Sequence, residues 1–581
     1  MMSELAENFP PHTRTISAAA TPGTQPALAG QAWISRRGAP LALAGAAPAG
    51  ALARVTFAVK DNVDVAGMQT TAACPAFAYA PAAHAQVVQR LLEAGAELHG
   101  KTNMDQFACG LSGTRSPYGA VPNAINPAYV SGGSSSGSAY VVATGQVDFA
   151  LGTDTAGSGR VPAGLNNIVG LKPSRGLIST RGVVPAAQSV DCVSIFARTV
   201  GMAVQVLQAA VAYDPLDAFS RRLAFNSRPY PSSFRFGVPS APEFFGDWAA
   251  QSAFADAIKN LQTMGGESSP VDFAPLAEAA ALLYESALVA ERYAAIRNFF
   301  DAQESDVIEP VRGIIAAGRQ YSAADVFDAQ TRLKLLAQQV EGMWDDIDVL
   351  LVPTAPTHFL LEDMQKDPVA LNRKLGTYTN FVNLLDYAAL SVPSAMRADG
   401  LPFGITLIGR CGSDLQLAEL GQRYHHRTGL AQGATGVALP ASVPIAGIHA
   451  EALMKVAVVG AHLSGMPLNN QLVERRARLV QATTTAPHYR LFALPDTVPP
   501  KPGLQRTLQG GSAIALEVWE MPLEQVGSFL ALIQPPLGLG KVELADGSWV
   551  SGFICEGHAL ADARNVSSHG GWRAYLDSLQ K

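Results

Sequence analysis

The chain has 581 residues, 48% of them apolar and 15% charged, a core-rich composition that excludes wholesale disorder. Lys+Arg is 42 against 48 Asp+Glu, and a net charge of −6 leaves no electrostatic footprint for nucleic acid. The closest of the five cysteines, Cys74 and Cys109, stand 35 residues apart, so no CxxC site, zinc ribbon or disulfide framework is expected.

The first 30 or so residues are rich in Ala, Pro, Gly and Thr and read as an irregular lead-in. They carry acids early and lack an apolar h-region, so they do not read as a signal peptide. No run of 18 uncharged apolar residues occurs, so no membrane span is expected, and the chain reads as soluble and cytoplasmic. From Arg54 the texture changes. RVTFAVKD predicts a short strand, and HAQVVQRLLEAGAELHGKTN a helix with Val87, Val88, Leu91 and Leu92 on one face, then a strand. FALGTDTAGSGRVPAGLNNIVG reads as strand, Gly-rich turn and short helix. Residues 277–303 and 323–343 predict long helices, DVLLVPTAP and PFGITLIG buried strands, and DLQLAELGQRYHHRTG a late helix. Such alternation means an α/β layer architecture. Residues 427–452 are nearly uncharged and rich in Gly, Ala and Pro, as a linker is. They divide a first domain, 1–445, from a small β-rich module, 446–581, which opens with the strand of MKVAVVGAHLSG.

Three segments of the first domain carry chemistry. Lys60 ends the apolar strand Phe57-Ala58-Val59-Lys60. The run Ser131-Gly132-Gly133-Ser134-Ser135-Ser136-Gly137-Ser138-Ala139 leads into AYVVATG, and a small-residue loop opening a helix presents several N–H groups and hydroxyls at one point. Gly152-Thr153-Asp154-Thr155-Ala156-Gly157-Ser158-Gly159-Arg160 follows a strand, and its small residues let amides converge where an oxyanion forms. This is no GxSxG elbow, because glycine flanks Ser158 on both sides.

Together the three segments make the chain resemble the amidase signature family from about residue 54 to about 430. The resemblance implies a mixed β-sheet covered by helices. It also implies a triad of a lysine, a serine after a cis peptide bond and a nucleophilic serine. These fall on Lys60, Ser134 and Ser158, the two serines 24 residues apart. Serine needs a base to become a nucleophile. No Ser-His-Asp arrangement is evident in these loops, so Lys60 must serve, and it can do so only if burial keeps it neutral. The amides of Thr155, Ala156, Gly157 and Ser158 are the expected oxyanion donors. Many members carry two glycines before the nucleophile and a bulky aliphatic residue after it, where this chain has Ala156-Gly157 and Gly159. The chemistry calls for no metal and no organic cofactor.

Tyr284 and Arg292 lie on the helix predicted over 277–303, eight residues and ~12 Å of rise apart. Arginine grips a carboxylate bidentately, so the pair suits a small acidic substrate; a surface arginine partnered by Glu291 is the plainer alternative. The segments TAACPAFAY, KTNMDQFACGLSGTRSPYGAVPN and GSGRVPAGLNNIVGLKPSRGLISTRGVVPA are similar to those of the allophanate hydrolase family. That resemblance implies that Tyr284 and Arg292 hold the substrate carboxylate and that Gly110 lines the pocket.

The second module resembles the C-terminal domain of the same family, itself similar to γ-glutamylcyclotransferase folds. The matching stretches are VAVVGAHLSGMPLN, PGLQR, IALEVWEMP and DGSWVSGFICEG. The resemblance ties this domain to decarboxylation of a carbamate-type product, with His462, in a Gly-flanked loop, as acid/base. Glu517 resembles the acidic residue of the cyclotransferase fold. The family further implies hydrolysis of allophanate to ammonia and carbon dioxide, a homodimer, and a biotin-dependent urea carboxylase or cyanuric acid breakdown upstream. Two alternatives stay open. One is another amidase, such as a glutamine amidotransferase subunit. The other is a generalist amidase whose C-terminal module only binds or dimerises.

Overall fold

The computed structural model describes residues 30–43, 50–226, 228–448 and 452–579, so the lead-in read over the first 30 residues lies almost wholly outside the described residues. The chain forms two compact units, Met1–Ile448 and His449–Lys581. Among the described residues no helix is long and apolar enough to cross a membrane.

The first unit is built on an 11-stranded mixed sheet. In chain order its strands are β1 (Trp33–Leu41), β2 (Thr56–Lys60), β3 (Glu97–Thr102), β4 (Phe149–Asp154), β5 (Val169–Lys172), β6 (Cys192–Ala197), β7 (Phe234–Pro239), β8 (Gly266–Val271), β9 (Val349–Pro353), β10 (Ala388–Met396) and β11 (Pro402–Gly409). Their spatial order is β1-β3-β2-β4-β6-β5-β10-β11-β9-β7-β8. β2 runs parallel to both β3 and β4, while β6, β5, β10 and β11 pair antiparallel in succession. The central strands β4, β5, β6, β9 and β11 are buried at every residue. Buried on both faces, they read as continuous apolar or small-residue runs rather than as alternation.

Helices pack against the sheet. The helix Gln86–Glu93 buries Val87, Val88, Leu91 and Leu92, the stripe expected from its spacing. It shares one large apolar core with Val200–Ala210 and Asp414–Thr428. The helix Ser136–Ala143 is buried all round, so no periodicity marks it. Parallel pairing brings the C-terminal ends of β2 and β4 side by side, with Val59 opposite Leu151 and the Phe57 and Phe149 rings stacked at 5.1 Å. That fixed edge sets Lys60 beside the turn that follows β4, at the carboxyl ends of parallel strands where α/β sheets build their sites.

After Asp414–Thr428 the chain turns at Gly429 in the left-handed conformation and then lies along the first unit. Asn167 Nδ2 donates to the carbonyls of Ala431 and Gly433, Gln422 Nε2 donates to that of Val443, and Ile445 is buried in the main core.

The second unit has a five-stranded sheet in the spatial order Arg478–Thr484, Ala515–Pro522, Leu453–Val458, Trp549–Cys555, Leu537–Glu543. A smaller three-stranded sheet accompanies it. Its own apolar core gathers Tyr489, Trp519, Phe529, Phe553 and Trp572.

Candidate active site

The three sequence motifs meet at one point. Lys60 Nζ lies 2.7 Å from Ser134 Oγ and 2.7 Å from Thr153 Oγ1. Ser134 Oγ lies 2.9 Å from Ser158 Oγ. The Gly133–Ser134 peptide bond is cis, as the resemblance implies. Lys60 and Ser134 are fully buried and Ser158 is 2% exposed. Burial drives the Lys60 ammonium down to about pKa 7 against the pull of Asp105, Asp191 and Asp154, with Arg292 adding a push in the same direction as burial. A neutral amine is therefore available near neutral pH, the condition for its use as a base.

Carboxylates to which the sequence motifs assign no role hold this chain in place. Asp105 follows β3 and accepts the amides of Gly113 at 3.1 Å and Arg115 at 2.9 Å. Burial pushes its carboxyl up, and the Arg115 charge and those amides restrain it. A Cβ at position 133 would strike this carboxylate, so only glycine fits before Ser134. Asp154, at the end of β4, takes the Gly157 amide at 2.8 Å and the Gly159 amide at 3.0 Å, and pairs with Arg160 Nε at 2.9 Å. Burial raises the Asp154 carboxyl, yet the Arg160 charge and its hydrogen bonds bring the balance below the usual range. Arg160 in turn donates to Thr379 O and Asn383 Oδ1. Asp154 and Arg160 stand inside the turn motif itself, which is the signal that could have found them; Asp105 and Asp191 carry no local signal of a supporting role.

The turn carrying Ser158 is not quite as expected. Because the Gly157 amide donates to Asp154, it is not free for an oxyanion. The amides of Thr155, Ala156 and Ser158 are the donors the turn still offers. Gly157 has φ +130°, and a side chain there would strike Thr379, whose Oγ1 donates to Ala156 O at 2.7 Å. Ser158 Oγ also lies 3.5 Å from the Gly110 carbonyl, which places Gly110 beside the serine expected to be the nucleophile.

Tyr284 and Arg292 do meet, but not along one helix. The single helix expected over 277–303 is broken: Ala274–Glu285 ends, a 3-10 turn covers Ala287–Val289, and Ala290–Gln303 follows. Ser286 makes the break. Its backbone is extended, and its Oγ donates to Leu282 O and accepts the Leu288 amide. A serine that bonds its neighbouring backbone competes with the helix in this way. The bend brings Arg292 Nη2 within 3.0 Å of Tyr284 Oη, with the guanidinium 4.9 Å from the Tyr284 ring centre. Arg292 is 3% exposed, and its Nε and Nη1 find no acceptor among the described residues. Glu291 accepts its hydrogen bonds from Ser189 N–H and O–H instead. Tyr284 packs in one cluster with Ala156 of the turn that carries Ser158. It also lines a cavity of about 610 Å³ with Leu111, Arg115, Asn372, Arg373 and Asn380.

In the second unit His462 follows the strand Leu453–Val458. Its Nε2 sits 2.9 Å from Gln471 Oε1, its ring stacks on Phe553 at 5.3 Å and meets Phe529 edge-on. Burial lowers its pKa below the ordinary value, so the imidazole is neutral at physiological pH. It borders a cavity of about 40 Å³ with Gly460, Lys501 and Pro502. Glu517 is buried and accepts from Ser464 N and Oγ, Trp519 Nε1 and Arg573 Nη2. No cluster of metal-ligating side chains occurs among the described residues.

Known proteins resemble this chain over nearly its whole length. The Amidase family model matches residues 13–418, and the allophanate hydrolase C-terminal domain matches 454–577. The urea amidolyase of Saccharomyces cerevisiae is 45% identical over 91% of this chain, which spans only 30% of that protein. The urea amidolyase of Lachancea kluyveri is matched to the same extent, so the chain spans about a third of the length of these curated relatives. The structure of Kluyveromyces lactis allophanate hydrolase is 43% identical, covers 90% of this chain and 88% of its own, and has a TM-score of 0.68. The A subunit of Thermotoga maritima glutamyl-tRNA(Gln) amidotransferase is 30% identical over 67% of this chain and 86% of its own, with a TM-score of 0.58. A Lys60–Ser134–Ser158 chain on a mixed sheet, and a family match over most of the first unit, lead to one assignment: this protein belongs to the amidase family and carries an allophanate hydrolase C-terminal domain.

Proposed function

We propose that the protein hydrolyses allophanate to ammonia and carbon dioxide. Neutral Lys60 accepts the Ser134 proton as Ser134 accepts that of Ser158, and Ser158 Oγ attacks the terminal amide carbonyl. The oxyanion forms against the Thr155, Ala156 and Ser158 amides, preorganised donors that need no reorientation as charge develops. The proton held at Lys60 returns through Ser134 to the departing nitrogen, and ammonia leaves. Water then enters, gives its proton to the same relay and releases Ser158. The product is a dicarboxylated amine that loses carbon dioxide to give carbamate, and carbamate breaks down to a second ammonia and a second carbon dioxide. We assign His462 as acid/base in that second step, in keeping with its buried, neutral imidazole.

The observation that carries the substrate is Arg292. A buried guanidinium with two unpartnered N–H sites, beside the relay, calls for an anion with two acceptor atoms. Allophanate supplies an amide at one end and a carboxylate at the other. The amidotransferase reading accounts for the first unit alone, since the A subunit of Haloarcula marismortui glutamyl-tRNA(Gln) amidotransferase is matched over 95% of its length by 64% of this chain. The match to part of the urea amidolyases supports a partner that makes allophanate, and a biotin-dependent urea carboxylase is the one expected. Five unpaired cysteines suit a reducing cytoplasm. The test is ammonia release from allophanate, with urea, glutamine and an aliphatic amide alongside. Turnover of the simple amides without allophanate would overturn the substrate and keep the relay.

A further inference from the structure

Between β5 and β6 the chain doubles back, and residues 183–191 touch all three parts of the site. At one end the Val184 amide donates to Asn62 O at 2.8 Å, and Asn62 Nδ2 returns a bond to Val184 O at 3.1 Å. Asn62 Nδ2 also reaches Thr153 Oγ1, the hydroxyl beside Lys60 Nζ. At the other end the Asp191 carboxylate accepts Thr155 Oγ1 at 2.5 Å and the Ala186 and Ala187 amides at 2.8 and 3.2 Å. Between them, Ser189 N–H and O–H donate to the two oxygens of Glu291, each at 2.7 Å. Ala187 and Val190 pack against Ala156 and Leu283, filling the space between the nucleophile turn and the helix that carries Tyr284.

We propose that this segment is a brace that holds the two halves of the active site through separate hydrogen bonds. Asp191 positions the oxyanion turn through the Thr155 side chain. Ser189 and Glu291 position Arg292 by fixing the first turn of its helix. All three are positioning residues. The Arg292 half rests on the proposed anionic substrate; the Asp191 half does not. The physical reason is tolerance. A site is productive only within about 0.5 Å of its geometry, and supporting hydrogen bonds supply that precision. Asp191 is an acceptor surrounded by donors, so Asp191→Asn turns an NH₂ toward an O–H or N–H and loosens the turn. Thr155→Val removes the same hydrogen bond from the other side and keeps the Thr155 amide position in the chain.

The experiment is steady-state kinetics on allophanate and, in parallel, on the neutral amide that the wild type hydrolyses fastest. Asp191→Asn and Thr155→Val are each expected to lower kcat about 10- to 100-fold on every amide turned over, below the 10²–10³-fold loss of an oxyanion donor itself. KM should change less than about twofold, and the double variant should be no slower than the slower single one. Glu291→Gln and Ser189→Ala are expected to raise KM for allophanate roughly fivefold to tenfold and to leave the neutral amide unaffected, while Ser189→Thr, keeping the hydroxyl, restores KM. Additive losses in the Asp191–Thr155 pair, or a KM effect shared by both substrates in the Glu291 variants, would overturn the brace. Absence of allophanate turnover in the wild type would overturn the substrate reading instead, with the Asp191 half still decided on the neutral amide. Thr155→Val decides that half even where Asp191→Asn does not fold.

Discussion

In the first unit, three side chains stand in line with gaps of 2.7 and 2.9 Å, and buried carboxylates flank them. In the second, the His462 ring lies against Gln471 Oε1 and two aromatic rings. Both centres hide a basic nitrogen from water, and burial lowers the pKa of both. They differ in what receives the proton next. Lys60 is wired through Ser134 to Ser158, the proposed nucleophile, so its neutral form could be used at once. His462 is wired to an amide oxygen that cannot pass a proton on. A shifted pKa therefore marks both places, and only the hydrogen-bond path separates the proposed relay from a histidine with no onward proton path.

The largest effect that would test this contrast is at the nucleophile. Ser158→Ala is expected to lower kcat for ammonia release at least about 10⁴-fold, because the remaining relay has nothing to activate. Near-normal activity would remove the first unit from the chemistry. Next comes the base. Lys60→Met should cost roughly 10²–10⁴-fold in kcat, and for the wild type kcat/KM should rise with pH through about 7 as the lysine loses its proton. The same group leaves a mark on stability. The folded chain releases this proton near pH 7 while the unfolded chain holds it to 10.5, so the unfolded state binds more protons between those values. Unfolding free energy should then rise with pH across that window, the lysine's cost being greatest below it. Denaturant titrations at pH 7 and 9 should show a rise in the wild type that is smaller in Lys60→Met.

How much of this is legible in the sequence follows from where each signal is stored. The relay lies in three short runs, the Lys60 strand end and two Gly/Ser-rich segments, and it is their joint resemblance to the amidase signature family that points to Lys60, Ser134 and Ser158. The strand ends and the Gln86–Glu93 helix also announce themselves, since one buried face leaves a period. The supporting carboxylates do not. Asp105, Asp154 and Asp191 lie 29, 4 and 33 residues in sequence from the serine each helps, measured as Ser134 to Asp105, Ser158 to Asp154 and Ser158 to Asp191. Of these only Asp154 shares a motif with its serine, and the motif shows its place in the turn without its role. The break at Ser286 is hidden for another reason. The apolar pattern over 277–303 runs through without interruption, and the break depends on one hydroxyl turning inward. The burial of Arg292 is not legible either, because a continuous helix would set it about two turns from Tyr284.

Arg292 gives the third prediction. Arg292→Ala should raise KM for allophanate about 10- to 100-fold with a smaller change in kcat, the span expected for charge-assisted hydrogen bonds of roughly 1.5–3 kcal/mol. Arg292→Lys should recover only part, since a point charge cannot offer the paired donors of a guanidinium. An equal fall of kcat and kcat/KM would instead place Arg292 in transition-state stabilisation, closer to the relay than the substrate reading puts it.

The smallest effect separates the two centres most directly. His462→Gln keeps a polar side chain beside Gln471 but loses the titratable ring and its stacking on Phe553. If His462 serves only the second step, ammonia release should fall by less than about twofold while carbon dioxide appears about tenfold more slowly than ammonia, spontaneous decarboxylation supplying the rest. Parallel ammonia and carbon dioxide assays in one reaction measure that lag. A lag that shortens as the pH falls would mean that proton donation, which the lowered pKa of His462 withholds at neutral pH, limits the step. Equal rates of the two gases in wild type and variant would assign His462 to packing against Phe529 and Phe553 and return the second step to water.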